Sequence, residues 1–210
     1  MTSDTSTMRG DDMEAARFLE RDFNQCFAQM RHYDGQIWDI RKFTLTAYTV
    51  LLGVAIGLYQ YSETKEFDLT PASVVILAVG TLFGLFMFSL TVRNRVYFVV
   101  VARYINEHRQ LFLRDDPLGF KNTVHMYTDP SQPPFFSWLS SQTCLSIVIA
   151  ILNSVLLATL MFMGLGGSER RLSATVVVFL LFLFVQVILA VYYTIFSRAE
   201  VCQRSRSGKV

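Results

Sequence analysis

Two amides are the strongest polar groups placed where chemistry would be unusual. Asn153 lies in SIVIAILNSVLLATL and Gln186 in VVFLLFLFVQVILAV, each near the middle of an uncharged apolar run. An amide left facing lipid is costly, so each must face protein or water. Two arrangements satisfy that demand. One is an amide–amide hydrogen bond between neighbouring helices, contributing on average about 0.6 kcal/mol. The other is a polar constriction lining an oligomeric pore. Interhelical pairing is the common fate of membrane amides and is the preferred expectation.

Other chemistry is sparse. No Asp, Glu, Lys, Arg or His falls within the four apolar cores at 43–61, 71–92, 143–163 and 174–196. Proton-driven transporters, proton relays and voltage sensors place ionisable groups at that depth. His32, His108 and His125 have no metal-ligand spacing with cysteine or with one another. Asp11–Asp12 and Asp115–Asp116 are adjacent pairs that suit helix ends better than acid/base work. Cys26, Cys144 and Cys202 are far apart and read as unpaired thiols. There is no phosphate-binding loop, no GxGxxG and no GxSxG. The expectation is a protein that is not an enzyme, with no catalytic residue, no cofactor and no metal site.

Small residues carry a different signal. Gly53-Val-Ala-Ile-Gly57 and Gly80-Thr-Leu-Phe-Gly84 are GxxxG motifs on consecutive apolar runs. Such motifs let helix backbones approach closely. Counted from the loop between the runs, Gly53 and Gly80 lie at nearly the same depth, so the first two spans are expected to cross there.

The elements that position these groups follow from segregation of the apolar residues. Hydrophobic residues make up 52% of the 210 and charged residues 17%, against a usual charged share of about 25%. The longest stretch, Thr70 to Leu113, has no proline after Pro71. At about 1.5 Å per residue it extends roughly 60 Å, twice the hydrocarbon thickness of a bilayer. It reads as one helix that spans at 71–92 and continues beyond lipid. Its polar face is Arg103, Asn106, Glu107, Gln110 and Arg114, with Tyr97, Val101, Tyr104, Ile105 and Phe112 largely opposite.

The fold expected is all-α and polytopic: four transmembrane helices as two hairpins. Residues 1–12 read as a disordered tail. Residues 13–42 form an amphipathic cytoplasmic helix whose apolar positions, Ala16, Leu19, Phe23, Cys26, Met30, Tyr33, Ile37 and Ile40, alternate three and four apart as in a coiled coil. That stripe serves either the chain's own second helix, the preferred assignment, or a seam between subunits. The first hairpin is 43–61 and 71–92, with Thr70 as cap and Pro71 in the first turn of its second helix. A cytoplasmic connection, 93–142, contains a helix stop at Asp115 to Pro117, a short helix at 118–126 and an aromatic anchor at Phe135, Phe136 and Trp138. The second hairpin is 143–163 and 174–196, and a basic tail occupies 197–210.

Sixteen of the 19 Lys and Arg residues fall in the N-terminal segment, the 93–142 connection and the tail. The positive-inside tendency therefore places both termini in the cytoplasm of a plasma membrane, an inner membrane if the cell is bacterial. In layout the chain is similar to small bacterial multispan effectors, SLATT-type membrane proteins among them. The resemblance lies in the arrangement of spans and cytoplasmic helices, and no residue or activity is carried over from it.

The functional expectation is a homo-oligomeric membrane assembly, a pore, channel or effector controlled through its cytoplasmic helices. The alternative is a membrane-anchored adaptor that recruits a soluble partner. A passive transporter for a neutral substrate is a third reading. The expected partners are the lipid bilayer, a second copy of the chain and a cytoplasmic protein. A net charge of +2 gives no basis for a nucleic-acid partner.

Overall fold

A computed structural model describes residues 10–64, 68–113, 123, 125–165 and 170–207, with side chains for all of these except 10–12, 126 and 197–207. Four α-helices occupy almost all of them: α1 Gly10–Thr64, α2 Thr70–Phe112, α3 Ser141–Gly164 and α4 Arg171–Ser207. A 3-10 turn, His125–Tyr127, lies between α2 and α3. Among the described residues there is no strand. All four α-helices are long and apolar enough to cross a membrane.

Several boundaries differ from the sequence expectation. Helix α1 begins at Gly10, inside the segment expected to be a disordered tail, and runs through Gly35 to Thr64. Glycine costs about 1 kcal/mol relative to alanine in a helix interior, a loss the flanking turns absorb. Helix α4 continues past the apolar run ending at Phe196 to Ser207, so most of the expected basic tail is helical. Of the short helix expected at 118–126, only the end falls within the described residues, in the 3-10 turn. The expected stop at Asp115 to Pro117 and the glycine turn at Gly166 and Gly167 lie outside them.

The chain divides into two compact units. The first comprises residues 1–35 and 97–134. Here the α1 stripe Leu19, Phe23, Cys26, Met30 and Tyr33 is buried or half-buried, whereas Ala16 is exposed. Tyr33 stacks on Tyr97 of α2 with ring centroids 5.8 Å apart, and Phe23 lies 6.4 Å from the His108 ring. Asp22 accepts a hydrogen bond from the Tyr104 hydroxyl at 2.9 Å and sits 3.2 Å from His108 Nε2. The bond to that carboxylate raises the Tyr104 pKa, because ionising the phenol would lose it and bring two negative charges together. Burial, with Asp22 adding to it, likewise pushes the Cys26 thiol up.

A loop closes this first unit. Asn106 Nδ2 donates to the carbonyls of Asp129 and Gln132 at 3.1 and 2.8 Å, and Arg103 Nε donates to that of Pro133 at 3.0 Å. The Gln132–Pro133 peptide is cis. The Asp129 carboxylate accepts the Ser131 N–H at 2.7 Å, and hydrogen bonding by the Ser131 hydroxyl first and this N–H second holds its pKa below the ordinary aspartate value. Asn106 was expected on a solvated face. It is 5% exposed, because the returning loop presents carbonyls that need donors.

The second unit comprises residues 36–96 and 135–210. Its core has two clusters. One gathers Tyr48 and Ala55 of α1, Leu77 of α2, and Leu156 and Met163 of α3. The other gathers Phe88 and Val92 of α2 with Ile149 and Ala150 of α3, with Leu183 and Ala190 of α4 packed against it. The loop from α1 to α2 is pinned by Asp68, which accepts the Thr70 N–H at 2.9 Å and the Ser62 hydroxyl at 3.0 Å. Asp68 therefore does the capping expected of Thr70. Further along α2, Arg95 Nη1 donates to Gln142 Oε1 of α3 at 2.6 Å.

Candidate functional site

The best-defined constellation in the second unit is a buried polar node to which all four helices contribute. On α1, the buried positions Arg41, Thr44, Tyr48 and Ala55 recur at helical three-to-four spacing and multiples of it. This phase turns Tyr48 inward, where it is 1% exposed. A buried phenol needs a hydrogen-bond partner. Tyr48 finds one by donating its hydroxyl proton to Asn153 Oδ1 on α3. Asn153 Nδ2 in turn donates to Gln186 Oε1 on α4 at 2.8 Å.

Gln186 Nε2 completes the relay. It lies 3.3 Å from the Ala150 carbonyl, 3.3 Å from Ser154 Oγ and 3.4 Å from the Phe182 carbonyl, a shared set of long contacts. The Ser154 hydroxyl is spent on the Ala150 carbonyl at 2.8 Å. Donors and acceptors thus run in one direction, from phenol to amide to amide to backbone. Asn153 is 0% and Gln186 1% exposed. Helix α2 contributes space instead of a polar atom: a Cβ at Gly84 would overlap Asn153 Oδ1 and the Tyr48 hydroxyl.

The site residues expected from the sequence therefore separate. Asn153 and Gln186 are brought together. Gly80 and Gly84 both face the interior: a Cβ at Gly80 would lie 3.1 Å from Leu51 Cδ1 and 3.6 Å from Leu156 Cδ1. Gly53 and Gly57 are exposed, with nothing within 4 Å of an added Cβ. The expected crossing at Gly53 and Gly80 is thus not made. The inward phase of α1 places Tyr48, Leu52 and Ala55 in the core, and Gly53 and Gly57 fall on another stripe of the same helix. Tyr48 was missed by sequence reasoning. The available signal was its register with Thr44 and Ala55, one face of a 3.6-residue period.

This node is built from neutral groups. Its groups are one phenol and two amides that bond across α1, α3 and α4, with no carboxylate, imidazole or amine among them. Among the described residues no three of His, Cys, Asp and Glu are grouped as metal ligands would be. Cys26 is buried and Cys144 exposed, both as free thiols, and the Cys202 side chain lies outside the described set.

At the other end of α3, Arg171 sits 3.5 Å over the Phe162 ring, donates through Nε to the Phe162 carbonyl, and donates through Nη2 to the Tyr59 hydroxyl at 3.2 Å. One of the three basic residues outside the main positive clusters is thus engaged at a helix C-terminus. Comparisons with known protein families, curated proteins and solved structures gave no match.

Proposed function

We propose that this chain is a multi-pass protein of the plasma membrane, inner membrane in a bacterium, that works as a homo-oligomeric assembly. Its spans form two hairpins, both termini and the 93–142 connection face the cytoplasm, and the cytoplasmic helices control what the assembled membrane part does. The observation that carries the reading is the open GxxxG of α1. Gly53 and Gly57 lie on an exposed face, unused by the chain's own packing. In lipid such a face permits close approach of a second helix, with backbone contacts as the gain.

The buried amides narrow the pore version of this reading. Asn153 and Gln186 bond to each other within one chain, so a conducting lumen would run between copies and would not be lined by them. The test is the oligomeric state in nanodiscs, by single-molecule photobleaching of the labelled protein, together with current recordings from proteoliposomes. Species larger than a monomer should form and should be lost in Gly53→Leu with Gly57→Leu. A strict monomer for the unaltered chain overturns the proposal.

A second reading, the adaptor, is favoured by the apolar surface of the first unit. Phe18 is 63% exposed, and Tyr127 and Leu111 are also exposed. Surface of that kind outside the spans suits a protein partner. Electrically silent vesicles at high protein density would move the conclusion toward it.

A further inference from the structure

The first unit contains a guanidinium whose surroundings fit a ligand. Arg109, on α2, lies between two apolar grooves. One, about 500 Å³, is lined by Ala16, Phe23, Phe112 and Leu113 with Arg17 and Glu20 at its rim. The other, about 420 Å³, is lined by Phe27, Met30, Phe98, Ala102 and Ile105, with Tyr127 and Pro133 across from them. Both volumes fall in the range of small-molecule sites, about 300–1,000 Å³.

Arg109 lines both grooves. Its guanidinium lies 6.0 Å from the Phe23 ring centroid and 5.6 Å from that of Tyr127. It is half-buried, and among the described residues no carboxylate lies within ion-pair distance of it. Among the described residues its N–H donors thus have rings nearby and no anionic acceptor. A planar donor fork beside an apolar trough is complementary to a carboxylate or phosphate joined to a hydrocarbon tail. Asp22, a half-buried acid of this unit, is taken up by Tyr104 and His108.

We propose that this unit binds an anionic amphiphile, with its charged head on Arg109 and its tail along Phe27, Met30, Phe98, Ala102 and Ile105. The site requires neither an oligomer nor a protein partner, so it stands or falls apart from the assembly state. Ligand occupancy would bear on the packing of α1 against α2 in this unit, since both helices line the groove.

The test uses the full chain in neutral-lipid nanodiscs and a photoreactive, alkyne-tagged palmitate as probe. Crosslinked peptides are mapped by mass spectrometry. Label is expected in 27–30, 98–106 and 127–133. Palmitate and hexadecyl phosphate should both compete, and their ranking distinguishes a free fatty acid from a phosphate-headed lipid. Hexadecanol, which lacks the charge, should compete about tenfold less well, and acetate or inorganic phosphate should not compete. Arg109→Gln should reduce labelling about tenfold, and Arg109→Lys, which keeps the charge and loses the planar fork, should fall between Arg109→Gln and the unaltered chain. Met30→Trp, which fills the trough, should abolish labelling while leaving the circular dichroism and the size-exclusion profile unchanged. Label confined to the apolar spans, equal competition by hexadecanol, or unchanged labelling in Arg109→Gln would overturn the proposal.

Discussion

A β-carbon at position 84 has no space to occupy, and this makes Gly84 the most informative single residue in the chain. Its overlap partners are Asn153 Oδ1 and the Tyr48 hydroxyl, neither of them the free end of a flexible chain. Gly84→Ala is therefore expected to destabilise the folded protein by about 1–3 kcal/mol, read as a lower midpoint of thermal unfolding in a mild detergent. The effect should be non-additive with Asn153→Ala, which removes one of the two overlapping groups and frees the Tyr48 hydroxyl from its partner, so that the double variant loses less than the sum of the two. Equal losses in both backgrounds would show that overlap with Asn153 is not the source of the effect. Asn153 and Gln186 were legible in the sequence because an amide in an apolar run must be accounted for. Tyr48 was not, since a tyrosine in a membrane helix is ordinary near an interface and only helical register marks it as internal. The two GxxxG motifs looked alike in sequence. What separates them is the phase of each helix, which depends on the partner helix and is absent from the motif.

Two elements depend on polar side chains that serve the backbone. The 129–133 loop is held to α2 by Asn106 and Arg103 through three carbonyls. Asn106→Ala should weaken the unit by about 1 kcal/mol and speed hydrogen exchange of the amides around 128–132, with the amides of α3 unaffected. Unchanged protection there would show that Arg103 and local packing suffice. The sequence pattern assigned Asn106 to solvent because a helical wheel sorts residues by polarity and does not see a loop returning over the helix. The α1–α2 loop depends on Asp68, whose carboxylate is held below the ordinary aspartate pKa by its bonds to Thr70 and Ser62. A depressed folded-state pKa contributes stability that is present above the unfolded value, near 3.9, and lost as pH falls through the folded value. Acidification from about pH 5 to below about pH 3 should therefore loosen this loop in the unaltered chain, measured as faster exchange of the Leu69 and Thr70 amides. In Asp68→Asn, which keeps an acceptor oxygen without a titrating proton, that pH step should flatten. The cap could be anticipated from the sequence in kind, and its assignment moved from Thr70 to Asp68 because one carboxylate oxygen, Oδ1, accepts from the Ser62 hydroxyl and the Thr70 N–H together.

For the whole molecule, four apolar helices follow directly from segregated hydrophobic runs, whereas which side each loop faces rests on the distribution of Lys and Arg. The exception to that distribution is the stretch around the start of α4 with Arg170 and Arg171. Arg171 has a local role there, set on the Phe162 ring and carbonyl and on Tyr59, so its presence outside the basic clusters has a structural cause. The orientation can be read from two exposed positions in a cysteine-free background, Glu63→Cys beside the α1–α2 loop and Ser131→Cys in the loop before α3. A membrane-impermeant maleimide should reach Glu63→Cys in intact cells. It should reach Ser131→Cys only after permeabilisation. Reversed accessibility would place the basic majority outside and remove the cytoplasmic assignment of the first unit. Equal accessibility of both from one side would mean that α2 does not cross, because these positions lie on either side of it in the chain. The ligand site built around Arg109 needs only the first unit, so it would survive reversal of orientation, whereas control of the membrane assembly from the cytoplasm would not.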